Sequence, residues 1–269
     1  MRRADLRHHA TLGIAVVAST APLLWALASS FKPVNRIYDP VAPPWPVSFD
    51  NYRVALTGFP IASLLGNTLL MASAVTAMQL VVAVLAAYGM VRFKVRRAGL
   101  LLAALTGALV VPTQSLMVPH FLMLVELGWR NTYAGLVVPQ LSGCALAVLL
   151  LRQNLLALPP NLFAAAAIDA ATPWETLWRV VLPLLRPAMS SVGILVFVAT
   201  WNEYLWPLLA VPDTDHATIQ IGLQSFMNSE GANHGPLLAA AMLSTIPVVA
   251  MYLVASRRIV DAFLHSGLR

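Results

Sequence analysis

Six long apolar stretches dominate the chain, at roughly residues 11–31, 65–91, 99–124, 134–152, 189–210 and 236–256. At about 1.5 Å of rise per helical residue, each is long enough to cross about 30 Å of hydrocarbon. The pattern therefore predicts an all-α, polytopic membrane protein with six transmembrane helices in a single domain spanning 1–269. The stretches are punctuated. Pro112, Pro119, Pro139, Pro207 and Pro247 lie in or near them, and each removes a backbone donor and bends a helix. Asn67, Gln79, Gln114, Gln140 and Asn202 also fall at membrane depth, where amides mostly tie helices together. Glu203, in VATWNEYLWP, is the acidic residue well inside an apolar stretch. A carboxylate there is costly and points to function by default. A place near the outer interface, beside Trp201, Tyr204 and Trp206, is the other reading. Gln114, Asn202 and Glu203 are the candidates for lining a solute pathway.

Between the fourth and fifth stretches lies a segment of about 153–188 whose first half is apolar rather than loop-like, LPPNLFAAAAIDAATPWETLWRVVLPLLRP over 158–187. Pro159 and Pro160 suit a helix start, and the Ala-rich run 161–171 propagates helix well. Thr172, Pro173 and Glu175 form a second start signal, a T-x-x-E capping box with proline at the first helical position. Two short helices with a sharp break at Ala171–Thr172 are expected, the second leading to Pro183. Small side chains permit close approach by another protein, and Asp169 supplies one charge for register. A helix resting on the membrane would instead carry Lys and Arg opposite its apolar face, and 161–171 has neither. Of the other connections, 32–63 is proline-rich, which favours extended segments and turns. Residues 211–235 carry Asp213, Asp215 and Glu230 without Lys or Arg. They form either solvated lids or a contact surface for an extracytoplasmic partner.

Composition agrees with the bilayer. Of 269 residues 59% are hydrophobic and 10% charged, against about 25% charged in an average soluble domain. The net charge of +6 would suggest nucleic acid in a soluble protein. Here 13 of the 17 Lys and Arg fall before the first stretch, after the sixth, or in the second and fourth connections. The positive-inside rule then puts both termini and the 153–188 loop in the cytoplasm, as an even number of spans requires. The first stretch, after MRRADLRHH, is too long for a signal core and lacks a clear small-residue cleavage site, so it reads as an uncleaved anchor. The single cysteine, Cys144, lies in an apolar run and reads as a membrane-buried small residue. No His/Cys cluster has metal-ligand spacing, and no G-x-x-x-x-G-K-[ST] phosphate loop is present.

The loop resembles the signature of permease subunits of binding-protein-dependent ABC importers, EAA-x-x-x-G followed at a distance by L-P. The likeness extends to the carbohydrate permeases of the maltose and glycerol-phosphate type through SSFKP, FDNY, NTLLMASAVTAMQLVVAVLAAYGMVRF, VPTQSLMVPHFLMLVELGWRNTYAGLVVPQ, ATWNEYLWPLLA and GPLLAAAMLSTIPVV. Their order and spacing carry it. The family's loop Glu falls on Ala164 and its Gly on Ala170; the two Ala after the Glu fall on Ala165 and Ala166, and the Asp before the Gly is kept as Asp169. A methyl group at the tight turn of Ala170 is tolerated if that residue keeps a negative φ.

The resemblance implies a type I ABC importer permease fold in the cytoplasmic (inner) membrane of a bacterium or archaeon. It implies a second, related permease subunit, two ABC ATPase subunits and an extracytoplasmic substrate-binding protein, and no nucleic acid. Phe163, Ala164, Ala165, Ala166, Asp169, Ala170, Ala171, Thr172, Pro173 and Glu175 would meet an ATPase. His265, Ser266 and Gly267 of the tail would reach the ATPase interface, or else fray as a free terminus. The chain would bind no cofactor and be no enzyme; ATP and Mg would belong to the partner ATPases. An ion-gradient-driven carrier for a small solute is the alternative. It predicts inverted repeats and several carboxylates or His at membrane depth. A membrane-embedded enzyme would need a set such as H-E-x-x-H, which is absent.

Overall fold

A computed structural model of the chain describes residues 3–39, 43–93, 95–228 and 231–266. Among these residues the regular structure is helical apart from a two-residue antiparallel pairing of Met227–Asn228 with Gly231–Ala232. Among the described residues, five helices are long and apolar enough to cross a membrane: Thr11–Ser30, Ile61–Arg92, Tyr133–Leu156, Pro173–Trp201 and His234–Val254. A bent pair, Ala98–Val110 with Thr113–Glu126, passes the same test as one broken element. The pair turns by 94° where a straight 99–124 helix would have run on. The cause is Pro112, which donates no backbone hydrogen bond and pushes the residue before it out of the helical region. Val111 accordingly sits at φ −73°, ψ 119°.

The chain divides into two compact units. The first holds residues 1–65 and 219–246. Its opening helix, Arg3–Ser30, is exposed along the described part of its apolar length, and burial begins only at Ser29 and Ser30. There the proline-rich connection folds back. The buried Asn51 donates to the carbonyls of Ser30 (2.9 Å) and Lys32 (2.8 Å), and Phe31 packs between Phe49 and Tyr52. A side chain at Gly235 would collide with the Asn51 amide, so this glycine is required by close approach.

The second unit holds residues 66–218 and 247–269. Helix Ala145–Leu156 packs against Leu182–Trp201 and Ala98–Val110. Val148, Leu151, Leu155, Leu177, Val181 and Trp201 are almost completely buried. Membrane-depth amides hold it together. Asn67 donates to the carbonyls of Asp215 (2.9 Å) and Ala217 (3.0 Å) and accepts the Tyr133 hydroxyl (2.8 Å). Gln79 donates to the Gln140 carbonyl (2.8 Å) in a 3₁₀ segment, Val138–Cys144, that contains Pro139. In hydrocarbon such carbonyls need partners of this kind. The stretch expected over 189–210 is broken: helix Leu182–Trp201 stops at Asn202, and a new helix runs Leu205–Ala210. Of the 211–235 connection, Asp213 accepts from Asn131 (2.7 Å) and Glu230 lies outside the described residues.

Candidate functional site

The connection between the fourth and fifth apolar stretches forms two helices with a turn between them. Asn161–Ile168 is the first, shorter than the 161–171 expected because its end is closed by a specific hydrogen-bonded turn. The Ala171 N–H donates to the Ala166 carbonyl (2.9 Å) and the Ala170 N–H to the Ala167 carbonyl (3.2 Å). This is a Schellman closure, which places its penultimate residue in the left-handed region and is usually made with glycine. Here that residue is Ala170, at φ 52°. The negative φ on which easy tolerance of alanine depended is not what forms; the turn keeps the left-handed geometry and the methyl group bears it. The same chain closes helix Met117–Glu126 with the same pair of bonds around Gly128, at φ 65°.

Ala166 is turned inward and buried. Ala164, Ala165, Asp169 and Ala170 are exposed, Phe163 and Ala171 partly so, and Ile168 is 85% exposed. The outer surface of this helix is thus small-residue and apolar with one carboxylate. The second helix starts at Pro173 with the full capping box. The Glu175 N–H donates to the Thr172 hydroxyl (3.2 Å), while the Thr172 N–H and hydroxyl both donate to the Glu175 carboxylate (2.9 Å each). These bonds, the backbone one foremost, hold the Glu175 carboxyl below the usual carboxylate range. A cap of this kind contributes about 0.5–2 kcal/mol. The Glu175–Arg179 pair (3.7 Å) is exposed and adds little. Five residues on, Leu177–Val181 is a π-helical turn in which the Leu182 N–H reaches back to Leu177. Pro183 has no N–H for the Arg179 carbonyl, and the widened turn accommodates that loss. Sequence reasoning missed one contact here. Tyr88, at the end of Ile61–Arg92, donates its hydroxyl to the Pro173 carbonyl at 2.7 Å. Nothing local marks a tyrosine 85 positions away as a partner of the loop.

A cavity of about 250 Å³ lies among helices of the second unit, with Gln79, Thr113, His120, Thr200, Glu203 and Trp206 on its wall. Glu203 lines it as an acid whose Oε1 accepts the N–H groups of Leu205 (3.1 Å) and Trp206 (3.2 Å). Those are orphan donors at the start of Leu205–Ala210, so the carboxylate sits in the break it helps to close. Gln114 and Asn202 are exposed and do not line this cavity. Asn202 bonds back to the Val198 carbonyl (2.8 Å). Among the described residues no group of three His, Cys, Asp or Glu could hold a metal ion. Helix His234–Ser266 carries the backbone of His265 and Ser266; Gly267 and the side chains of this tail lie outside the described residues.

The sequence profile of binding-protein-dependent transport system inner membrane components matches residues 79–263. Among curated relatives, the trehalose transport system permease protein SugB of Mycobacterium tuberculosis is 31% identical over 249 residues, 91% of this chain and 90% of the relative. The lactose transport system permease protein LacG of Rhizobium radiobacter is 25% identical over 98% of this chain and 97% of its own length. One chain of a bacterial ABC transporter involved in the import of the acidic polysaccharide alginate superposes with a TM-score of 0.80 at 20% identity. The match covers 96% of this chain and 98% of that one, and it establishes a shared fold.

Proposed function

The chain belongs to the family of binding-protein-dependent transport system inner membrane components, and from that premise we propose that it is one of two permease subunits of an ATP-driven importer for a sugar or sugar-like solute. Relatives named for lactose, trehalose and diacetylchitobiose transport support the solute class. The two permeases together enclose the pathway, and an extracytoplasmic binding protein delivers solute to it. Two ABC ATPase subunits bind and hydrolyse ATP with Mg beneath them. Both termini and the 159–181 loop face the cytoplasm.

The carrying observation is the loop's construction. A helix with an exposed Ala surface and the Asp169 carboxylate ends in a fixed turn, and a capped helix follows, leading through the π-helical turn Leu177–Val181 into Leu182–Trp201. A push on Asn161–Ile168 from the closing ATPases is therefore delivered to a membrane-crossing helix as a rigid-body displacement, which switches access between the two sides. Phe163, Ala164, Ala165, Asp169, Ala170 and Ala171 form the docking face; Ala166, expected there from the sequence, is turned inward and supports the helix from behind, and Thr172, Pro173 and Glu175 form the rigid joint. Glu203 is the strongest pathway candidate, because it alone of Gln114, Asn202 and Glu203 lines the cavity.

Purification through a tag on this chain from native membranes, followed by quantitative mass spectrometry, tests the reading. Two ATPase subunits per pair of permeases are expected, and uptake stops when the ATPase is inactivated with the proton gradient intact. A pure chain without an ATPase, or uptake that follows the gradient alone, would overturn it.

A further inference from the structure

We propose that Tyr88 is a positioning residue that ties helix Ile61–Arg92 to the coupling loop, so that the helix moves with the loop as one body. The proposal rests on the reading above. Three observations carry it. First, the bond is well made and protected: Tyr88 is 5% exposed, and its hydroxyl lies 2.7 Å from the Pro173 carbonyl. Second, its acceptor is an unusually fixed point. Pro173 is pinned by its ring, by the capping box around it, and by the Leu177 N–H, which donates to the same carbonyl. The neighbouring Thr176 is 2% exposed and donates to the Thr172 carbonyl at 3.0 Å.

Third, the helix behind Tyr88 leads to the cavity. Nine residues back, about 13.5 Å along the axis, stands Gln79, which is 6% exposed, lines the cavity and grips the Gln140 carbonyl. The loop is therefore connected to the cavity wall twice. One connection is covalent and passes through the widened π-helical turn Leu177–Val181. The other passes through Tyr88 into a continuous α-helix. A two-ended connection makes the cavity close or open as a unit, since walls on both sides receive the same displacement.

The test uses the complete complex in lipid nanodiscs, with Cys144→Ser as background. Spin labels are placed at Leu85→Cys on the helix and Arg179→Cys on the loop, both exposed positions. Pulsed electron–electron resonance measures their separation with and without MgATP. A second label pair, from Arg179→Cys to the ATPase, follows loop movement itself. With Tyr88 intact, the 85–179 separation is expected to stay constant while the loop moves. In Tyr88→Phe, which keeps the ring and removes only the hydroxyl, the separation should change with nucleotide by about 1–2 Å, the ordinary size of a helix shift.

A nucleotide-dependent 85–179 separation with Tyr88 intact would overturn the proposal even if the Phe variant failed to fold. A constant separation in a folded Tyr88→Phe complex would overturn it too, by showing that the hydroxyl is not the tie. A loop that moves relative to nothing would instead remove the coupling reading on which the proposal stands.

Discussion

Replacing Ala170 by glycine should make the loop more rigid, not less. Alanine in the left-handed region costs about 1–2 kcal/mol through the clash of its Cβ with the backbone. Glycine escapes that cost and gives back about 0.4–1 kcal/mol through the greater freedom of its unfolded chain. The net gain for Ala170→Gly is about 0.5–1 kcal/mol, and the residue is exposed, so no packing is lost. The N–H groups of Ala170 and Ala171 close the turn. Their exchange with deuterium reports local opening and should slow by about two- to fivefold, read by hydrogen-exchange mass spectrometry on the purified complex. Gly128 supplies the reciprocal control. It occupies the same place in an identical turn at φ 65°, with nothing within 4 Å of where a Cβ would stand. Gly128→Ala should speed exchange at Gly128 and Trp129 by a similar factor. Shifts of the same sign in the two variants, or faster exchange in Ala170→Gly, would refute the assignment of the strain to the left-handed methyl group.

Other outcomes follow from the same geometry. Ala165→Trp or Asp169→Lys should lower the amount of ATPase recovered with the chain several-fold while leaving membrane insertion intact; unchanged recovery and uptake would count against docking there. Glu203→Gln keeps an acceptor oxygen for Leu205 and Trp206 but discards the charge, so it should alter uptake without loss of fold; wild-type uptake at all solute concentrations would remove Glu203 from the pathway. Glu203→Ala should also lower thermal stability, since it frees two N–H groups worth about 1–3 kcal/mol together. Gly135→Ala drives a Cβ into the Trp129 carbonyl, a backbone atom that cannot swing away. It should cost about 1–3 kcal/mol, visible as a lower melting temperature of the purified chain.

The helix positions were legible in the residues because apolar length is a local quantity. The runs around 11–31, 65–91, 134–152 and 236–256 overlap the apolar helices Thr11–Ser30, Ile61–Arg92, Tyr133–Leu156 and His234–Val254. The capping box at Thr172 and Glu175 was legible for the same reason: its donors and acceptors lie within four residues of one another. Prolines announced that spans would bend, though not that the Pro112 bend would reach 94°. The amide glue was foreseen as a kind of contact. Its partners were not, since the Asp215 and Ala217 carbonyls that Asn67 holds lie 148 and 150 positions away.

Hydropathy and the local capping signals thus determined, from the residues alone, a helical membrane protein with a two-helix loop between its fourth and fifth apolar stretches. The tertiary structure decided three things that local pattern does not encode. Ala170 takes a left-handed φ because both carbonyls behind it must be closed off within one turn, whatever side chain stands there. Glu203 meets the exposed N–H groups of a helix that begins only because the chain breaks at Asn202. Tyr88 meets Pro173 because packing brings the end of one helix to the start of another, and a hydrogen bond between residues 85 apart exists only once both helices are in place.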